Sequence, residues 1–196
     1  MRSVALLLLV AACQQSEPVV GKAYIIEATG TRPAPEGPLI EVGVTPIPEH
    51  LSGPVRVAID RNLPYPEAIE ALKKIEAAGG QPFALVAVRD KVAALIPPDQ
   101  KTGPAIQLWA DPGGRACIAP PGTNSATCVT PQATKHIDRA FVRDVMAKAV
   151  KAYDLQRVHV MVDASLTWGD AVRALDGART CCLDDVKMEV SVNPGW

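Results

Sequence analysis

The chain repeats itself. With Asp163 set over Asp60, an offset of 103 residues, Val55, Val57 and Ile59 fall on Val158, Val160 and Val162, and Leu63 falls on Leu166. Tyr65 then meets Trp168, Glu67 meets Asp170, and Ala68, Ile69, Ala71 and Leu72 meet Ala171, Val172, Ala174 and Leu175. Carried on without a gap, the alignment sets Phe83, Leu85 and Ala87 on Val186, Met188 and Val190. Apolar positions at period 2, then 3.6, then 2 again describe a strand, a helix and a strand. Matched aromatic and acidic positions mark the two stretches as copies of one supersecondary unit. The fold class that follows is α+β: two small two-layer domains of mixed sheet with helices on one face.

An alternating strand buries one face, so the Val/Ile rows are expected to pack under the helices. Arg56 and Ala58, and likewise His159 and Met161, then point to the other side. That side is expected to be open, which makes Arg56, His159 and Met161 candidate partner-facing residues, because an exposed sheet face or edge is usually covered by something. The two halves covering each other is the alternative.

Between the copies the chain reads as hairpins and one long helix. The first repeat's helix begins near Pro64 and Pro66, where a missing donor costs little, carries Glu67 in its first turn and stops at Gly79-Gly80. Residues 83–88 and 92–96 flank Arg89-Asp90-Lys91 as two strands. Residues 105–110 and 115–119 flank Asp111-Pro112-Gly113-Gly114, a strong turn signal. Residues 137–153 form the longest helical pattern, with Ile137, Phe141, Val142, Val145, Ala149 and Tyr153 on one side. Thr167, followed three residues later by Asp170, opens the second repeat's helix as a near capping box. The segment 39–44 reads as a strand before the first repeat, which lacks a counterpart of the long helix.

The N-terminus reads as an address. Arg2 precedes an apolar stretch at residues 4–10, too short for a membrane-spanning helix of about 20 residues, and then the small pair Ala11-Ala12. Leu9-Val10-Ala11-Ala12-Cys13 resembles a bacterial lipobox. That resemblance implies removal of residues 1–12 and acylation of Cys13, and Gln14 behind the cysteine implies sorting to the outer membrane, facing the periplasm. The membrane is then met through the lipid alone, each buried CH₂ contributing about 0.8 kcal/mol. The sequence divides into a signal peptide at 1–12, a tether at 13–32, a partial domain at 33–98 and a complete one at 101–196. Five cysteines become an even four once Cys13 is acylated, as suits an oxidising compartment. Cys117, Cys128, Cys181 and Cys182 allow three connectivities. Cys117 with Cys128 is preferred, tethering the loop between them for about 3 kcal/mol, with the vicinal pair left free or oxidised together.

The second repeat brings a family into view. Val158-His159-Val160-Met161-Val162-Asp163, then Trp168-Gly169-Asp170-Ala171-Val172, Leu175-Asp176 and Ala178-Arg179, and a last strand over 186–192, resemble the end of the periplasmic domain of ExbD/TolR proteins. The Asp111 hairpin and the helix at 137–153 fall where that family has its opening hairpin and first helix. The likeness covers most of residues 101–196, with residues 55–88 as a partial second copy. It implies the family's fold and its habit of dimerising or engaging envelope components, peptidoglycan included. It does not bring the family's energy transduction, which depends on an acidic residue in an N-terminal membrane helix; residues 4–10 contain no acid.

Lys+Arg 20 against Asp+Glu 21 leaves no basic excess, which argues against nucleic acid as a partner. His50, His136 and His159 are scattered, and neither a metal spacing nor a cofactor motif is present. Asp60 and Asp163 each end a strand before a helix, where a carboxylate commonly accepts backbone N–H groups. The expectation is therefore a non-enzymatic envelope lipoprotein offering its modules to a protein or to peptidoglycan. The alternatives are an accessory subunit of an ExbB/ExbD- or Tol-type transport complex, and a periplasmic enzyme using Asp60 or Asp163.

Overall fold

A computed structural model describes residues 18–96, 104–123, 125–130, 136–154, 157–180 and 188–191. Cys13 and the lipobox, the expected boundary at 97–101, and Cys181 and Cys182 lie outside these residues. In chain order the elements are β1 (Val19–Val20), β2 (Ala23–Tyr24), β3 (Thr31–Arg32), β4 (Leu39–Glu41), β5 (Gly53–Ala58), α1 (Tyr65–Ala77), β6 (Gly80–Val88) and β7 (Lys91–Leu95). They continue with β8 (Ile106–Ala110), β9 (Ala116–Ala119), β10 (Thr127–Val129), α2 (Arg139–Tyr153), β11 (Val158–Val162), α3 (Trp168–Thr180) and β12 (Met188–Ser191). The architecture is α+β with mixed sheets.

Each copy of the repeat builds the same parallel core. β4, β5 and β6 lie side by side in one five-stranded sheet of order β3-β7-β6-β5-β4, and β8, β11 and β12 do so in the other, of order β10-β9-β8-β11-β12. The antiparallel additions differ. In the first sheet β7 and β3 extend the β6 edge, while in the second β9 and β10 extend the β8 edge. The expected alternation is visible as Val55 and Val57 in β5, and Val158, Val160 and Val162 in β11, all essentially without exposure. These inner rows join Tyr65, Ala68 and Ile75 of α1, Val142, Val145 and Met146 of α2, and Trp168, Val172 and Leu175 of α3 in one buried cluster spanning both halves.

The helices follow their local chemistry. α1 starts after Pro64, with no side-chain cap, carries Glu67 in its first turn and ends before Gly79, whose φ of +93° suits a residue without a Cβ. α2 starts two residues later than the periodicity suggested, because Asp138 caps it by accepting the N–H groups of Ala140 at 2.8 Å and Phe141 at 3.3 Å. In α3, the Thr167 hydroxyl accepts from Asp170 N–H at 3.3 Å and donates to Asp170 Oδ2 at 2.8 Å, so the hydroxyl half of the expected near capping box forms, with the acid's side chain turned onto the hydroxyl.

Three expectations need correction. First, the gapless alignment fails after α3. Val57 of β5 faces Ala84, whereas its counterpart Val160 faces Val190, so the last strands correspond at an offset of 106 rather than 103. A shift by an odd number reverses which residues share a face, so Ala84, not Ala87, is the partner of Val190. Secondly, residues 18–32, expected within the tether, belong to the fold. Ala23, Ile25, Ile26 and Ala28 are buried, and Ile26 and Ala28 exchange backbone hydrogen bonds with Ala87 of β6, continuing past the end of β5. Thirdly, the outer sheet face is not open throughout. Ala58 is fully buried and Met161 is 6% exposed, so Met161 cannot face a partner. In the first half the covering layer is the N-terminal segment: Tyr24 N–H donates to Asp60 Oδ2, Lys22 N–H to Glu41 Oε1, and Arg61 N–H to the Tyr24 carbonyl. Arg56 is half-buried, its Nε donating to the Gly37 carbonyl at 3.0 Å, and His159 is half-buried on its strand.

Candidate functional site

The repeated aspartates make turns. Asp60 Oδ1 accepts Asn62 N–H at 2.8 Å and Asp163 Oδ1 accepts Ser165 N–H at 2.9 Å, and both residues' carbonyls accept the N–H of the leucine three positions on, Leu63 and Leu166. Asp60 Oδ2 accepts Tyr24 N–H at 3.0 Å, and Asp163 Oδ1 also takes the Ser165 hydroxyl at 2.6 Å. Both carboxylates are thus engaged as acceptors at the places where strand hands over to helix.

Those two turns meet. Tyr65 N–H donates to the Leu166 carbonyl at 2.9 Å, and Trp168 N–H donates to the Leu63 carbonyl at 2.8 Å, with Pro64 opposite Thr167 in an antiparallel bridge. Since Tyr65 corresponds to Trp168, Leu63 to Leu166 and Pro64 to Thr167, the contact is reciprocal, the arrangement of a two-fold dimer interface folded into one chain. A third bond, Gly169 N–H to the Arg61 carbonyl at 2.8 Å, has no mirror, because the residue matching Gly169 is Pro66, which has no N–H. Tyr65 and Trp168 are buried at this seam. Their polar atoms, the Tyr65 hydroxyl and Trp168 Nε1, have no hydrogen-bond partner among the described residues. Burial pushes the Tyr65 hydroxyl well above the ordinary tyrosine range.

A second clasp joins the halves. Asp176 of α3, fully buried, accepts Thr29 N–H at 3.0 Å, the Thr29 hydroxyl at 2.8 Å, Gly30 N–H at 2.8 Å and the Arg139 guanidinium at 3.0 Å. In the sequence it entered only the family likeness, as part of Leu175-Asp176, with no role of its own. The available signal was its place near the C-terminal end of α3, where a negative charge opposes the helix dipole and so needs a tertiary reason. Arg179, one turn on, packs its side chain 3.1 Å from where a Cβ on Gly30 would lie. Burial lowers its guanidinium to about 10, with Asp176 pulling the other way.

Among the described residues a groove of about 260 Å³ lies between α1 and the loop that leaves β4. Val42, Ile47, Leu63 and Ala71 supply apolar walls, and Glu67, Glu70 and Lys74 supply the rim. Lys74 Nζ is paired with Glu70 at 2.6 Å, both well exposed, a contact worth little in stability.

On the outer face of the second sheet, one row runs across Cys128, Cys117, Trp109 and Met161. Cys117 and Cys128 are disulfide-bonded, which ties the three-residue edge strand β10 to β9; this is the preferred pairing of the sequence, and β10 itself, exposed throughout, gave no strand signal. Among the described residues no helix is long and apolar enough to cross a membrane, and no three His, Cys or carboxylate side chains gather as metal ligands. Comparison with known proteins found no matching family model, curated protein or solved structure.

Proposed function

We propose that the chain is a lipid-anchored protein of the bacterial envelope whose two ExbD/TolR-like modules, fused face to face, form a rigid, non-catalytic platform for an envelope protein or for peptidoglycan. The observation that carries the reading is the reciprocal seam at Leu63, Tyr65, Leu166 and Trp168. It spends both repeated turns on holding the modules together, and it leaves Asp60 and Asp163 occupied as turn acceptors instead of converging on a substrate. The order of β8, β9, α2, β11, α3 and β12 supports the family likeness, and the disulfide supports an oxidising compartment.

The anchor is tested by Cys13→Ser in a Gram-negative host. The wild-type chain is expected in the outer-membrane fraction and the variant among soluble periplasmic proteins; a variant that stays with the membrane refutes the lipid anchor. The partner class is tested by co-sedimentation with purified sacculi against cross-linking in intact cells. The non-catalytic role predicts that Asp163→Asn changes stability alone, and loss of a measurable turnover in a normally folded variant would sink it.

A further inference from the structure

We propose that the groove on α1 is a docking slot for the start of a helix from another envelope protein, entering with a basic residue followed by a branched apolar one. This deepens the platform reading and rests on it. The argument comes from the molecule's own symmetry. α1 and α3 correspond residue for residue, so Glu67, Glu70, Ala71 and Lys74 around the groove stand where Asp170, Arg173, Ala174 and Gly177 stand on α3. On α3 that face is filled. Asp170 Oδ1 accepts Ile137 N–H at 3.2 Å with His136 Nδ1 at 3.4 Å, Ile137 is buried, and α2 then runs so close that a Cβ on Gly177 would lie 2.7 Å from the Arg139 carbonyl oxygen.

In the first half the connection from β4 to β5 contains no helix; its Val42, Gly43, Thr45 and Ile47 form one wall of the groove, and among the described residues no helix lies against α1 as α2 lies against α3. Asp170, under the entry to α2, is 3% exposed, whereas Glu67 in the same position is exposed. The groove therefore keeps the features that receive a helix start: a carboxylate able to accept a backbone N–H and meet a cation, beside apolar walls of Val42, Ile47, Leu63 and Ala71. It differs at one point. Lys74 replaces Gly177 and is held by Glu70, which bars the close approach that α2 makes farther along α3. The slot thus takes the first turn of a helix and not its whole length. Apolar walls beside the Glu67 carboxylate, which has no partner among the described residues, suit such a peptide better than a polar glycan.

The probe is a synthetic peptide of this chain's own residues 134–150, which carries the Lys135-His136-Ile137 entry, titrated into the mature full chain and followed by amide chemical shifts. Saturable shifts are expected at residues 42–47 and 67–74. Since a hydrogen bond to a charged group contributes about 1.5–3 kcal/mol, Glu67→Gln is expected to weaken binding about tenfold or more. Replacing both Lys135 and His136 by Glu in the peptide should weaken it similarly. Glu67 is exposed, so the variant's melting curve should match the wild type. Absent shifts at the groove, or binding indifferent to Glu67→Gln, overturns the slot. A disaccharide-tetrapeptide from peptidoglycan that shifts the same residues, where the helical peptide does not, also overturns it and leaves the envelope platform standing. Peptide binding intact in a chain that proves to be neither acylated nor in the envelope would do the reverse.

Discussion

Asp176→Asn separates a structural clasp from a bystander acid. The amide has nearly the carboxylate's shape, so no cavity opens, but it must present an NH₂ either to Thr29 and Gly30 or to Arg139, all of which are donors. Breaking a buried charge pair by removing one partner costs about 3–5 kcal/mol. Arg139 is 44% exposed and can turn to water, so its share is discounted, and a loss of about 3 kcal/mol remains, carried by charged hydrogen bonds to the two N–H groups and the hydroxyl. For a chain of this size that loss corresponds to a fall in melting temperature of about 6–12 °C. Urea unfolding followed by tryptophan fluorescence reads the global effect. Limited trypsin digestion reads the local one, because the clasp holds the segment that follows Lys22 against the second half, and cleavage after Lys22 should accelerate, Arg32 being shielded by Pro33. A stability change below about 0.5 kcal/mol, the size of an ordinary surface substitution, together with an unchanged digestion pattern, would refute the clasp.

Tyr65→Phe is expected to stabilise by about 1 kcal/mol at neutral pH, because it removes a buried hydroxyl that has no partner among the described residues. In the unfolded chain this tyrosine ionises near its ordinary value of 10.0, but burial raises it in the fold. The fold's stability is therefore unaffected by this group below that pH and falls as pH rises from it toward the folded value, where only the unfolded chain is ionised. Alkaline melts of Tyr65→Phe should be correspondingly flatter, and an equal slope refutes the assignment. Gly177→Ala should destabilise, since overpacking against Arg139 and Val142 costs about 1–3 kcal/mol while the helix-propensity gain is only about 1 kcal/mol; a stabilised variant would show that α2 yields easily. Replacing both Cys117 and Cys128 by Ser should cost about 3 kcal/mol, and a non-reducing peptide map that links Cys117 to Cys181 or Cys182 would contradict the observed pairing.

What the sequence revealed depended on whether burial had a period. α1 and α2 bury one stripe each, and their patterns survive in the residue string; α3 is buried on nearly every side and was legible through its match to α1. The hairpins at Arg89-Asp90 and Asp111-Pro112-Gly113-Gly114 announce themselves through turn chemistry. The N-terminal segment does neither: Ala23, Ile25, Ile26 and Ala28 are all buried, only the last two in the main cluster, so burial falls at both odd and even positions and shows neither period. The register of β12 was hidden because the repeat holds its offset through α3 and loses it only afterwards, where β6 is apolar at every one of residues 82–88 and so matches an alternating strand at odd and even shifts alike. Of the sites, the turn role of Asp60 and Asp163 was readable from position. The groove was not: Glu67 read only as a carboxylate favoured in a first turn, and only the filled face of α3 shows what an equivalent surface receives.

The packed N-terminal segment also sets a distance. Among the described residues the first hydrogen bond is accepted by Pro18, from Ile25 N–H. With a lipid on Cys13, the five peptide steps to Pro18 span at most about 17 Å even fully extended. Such a leash is shorter than a small domain is wide, so the molecule would ride on the bilayer like a float on a short line, its hairpin of β1 and β2, with Val19 and Tyr24 half-exposed, nearest the headgroups. It would not sweep the periplasm in search of its partner, and the partner would have to reach the membrane to be met.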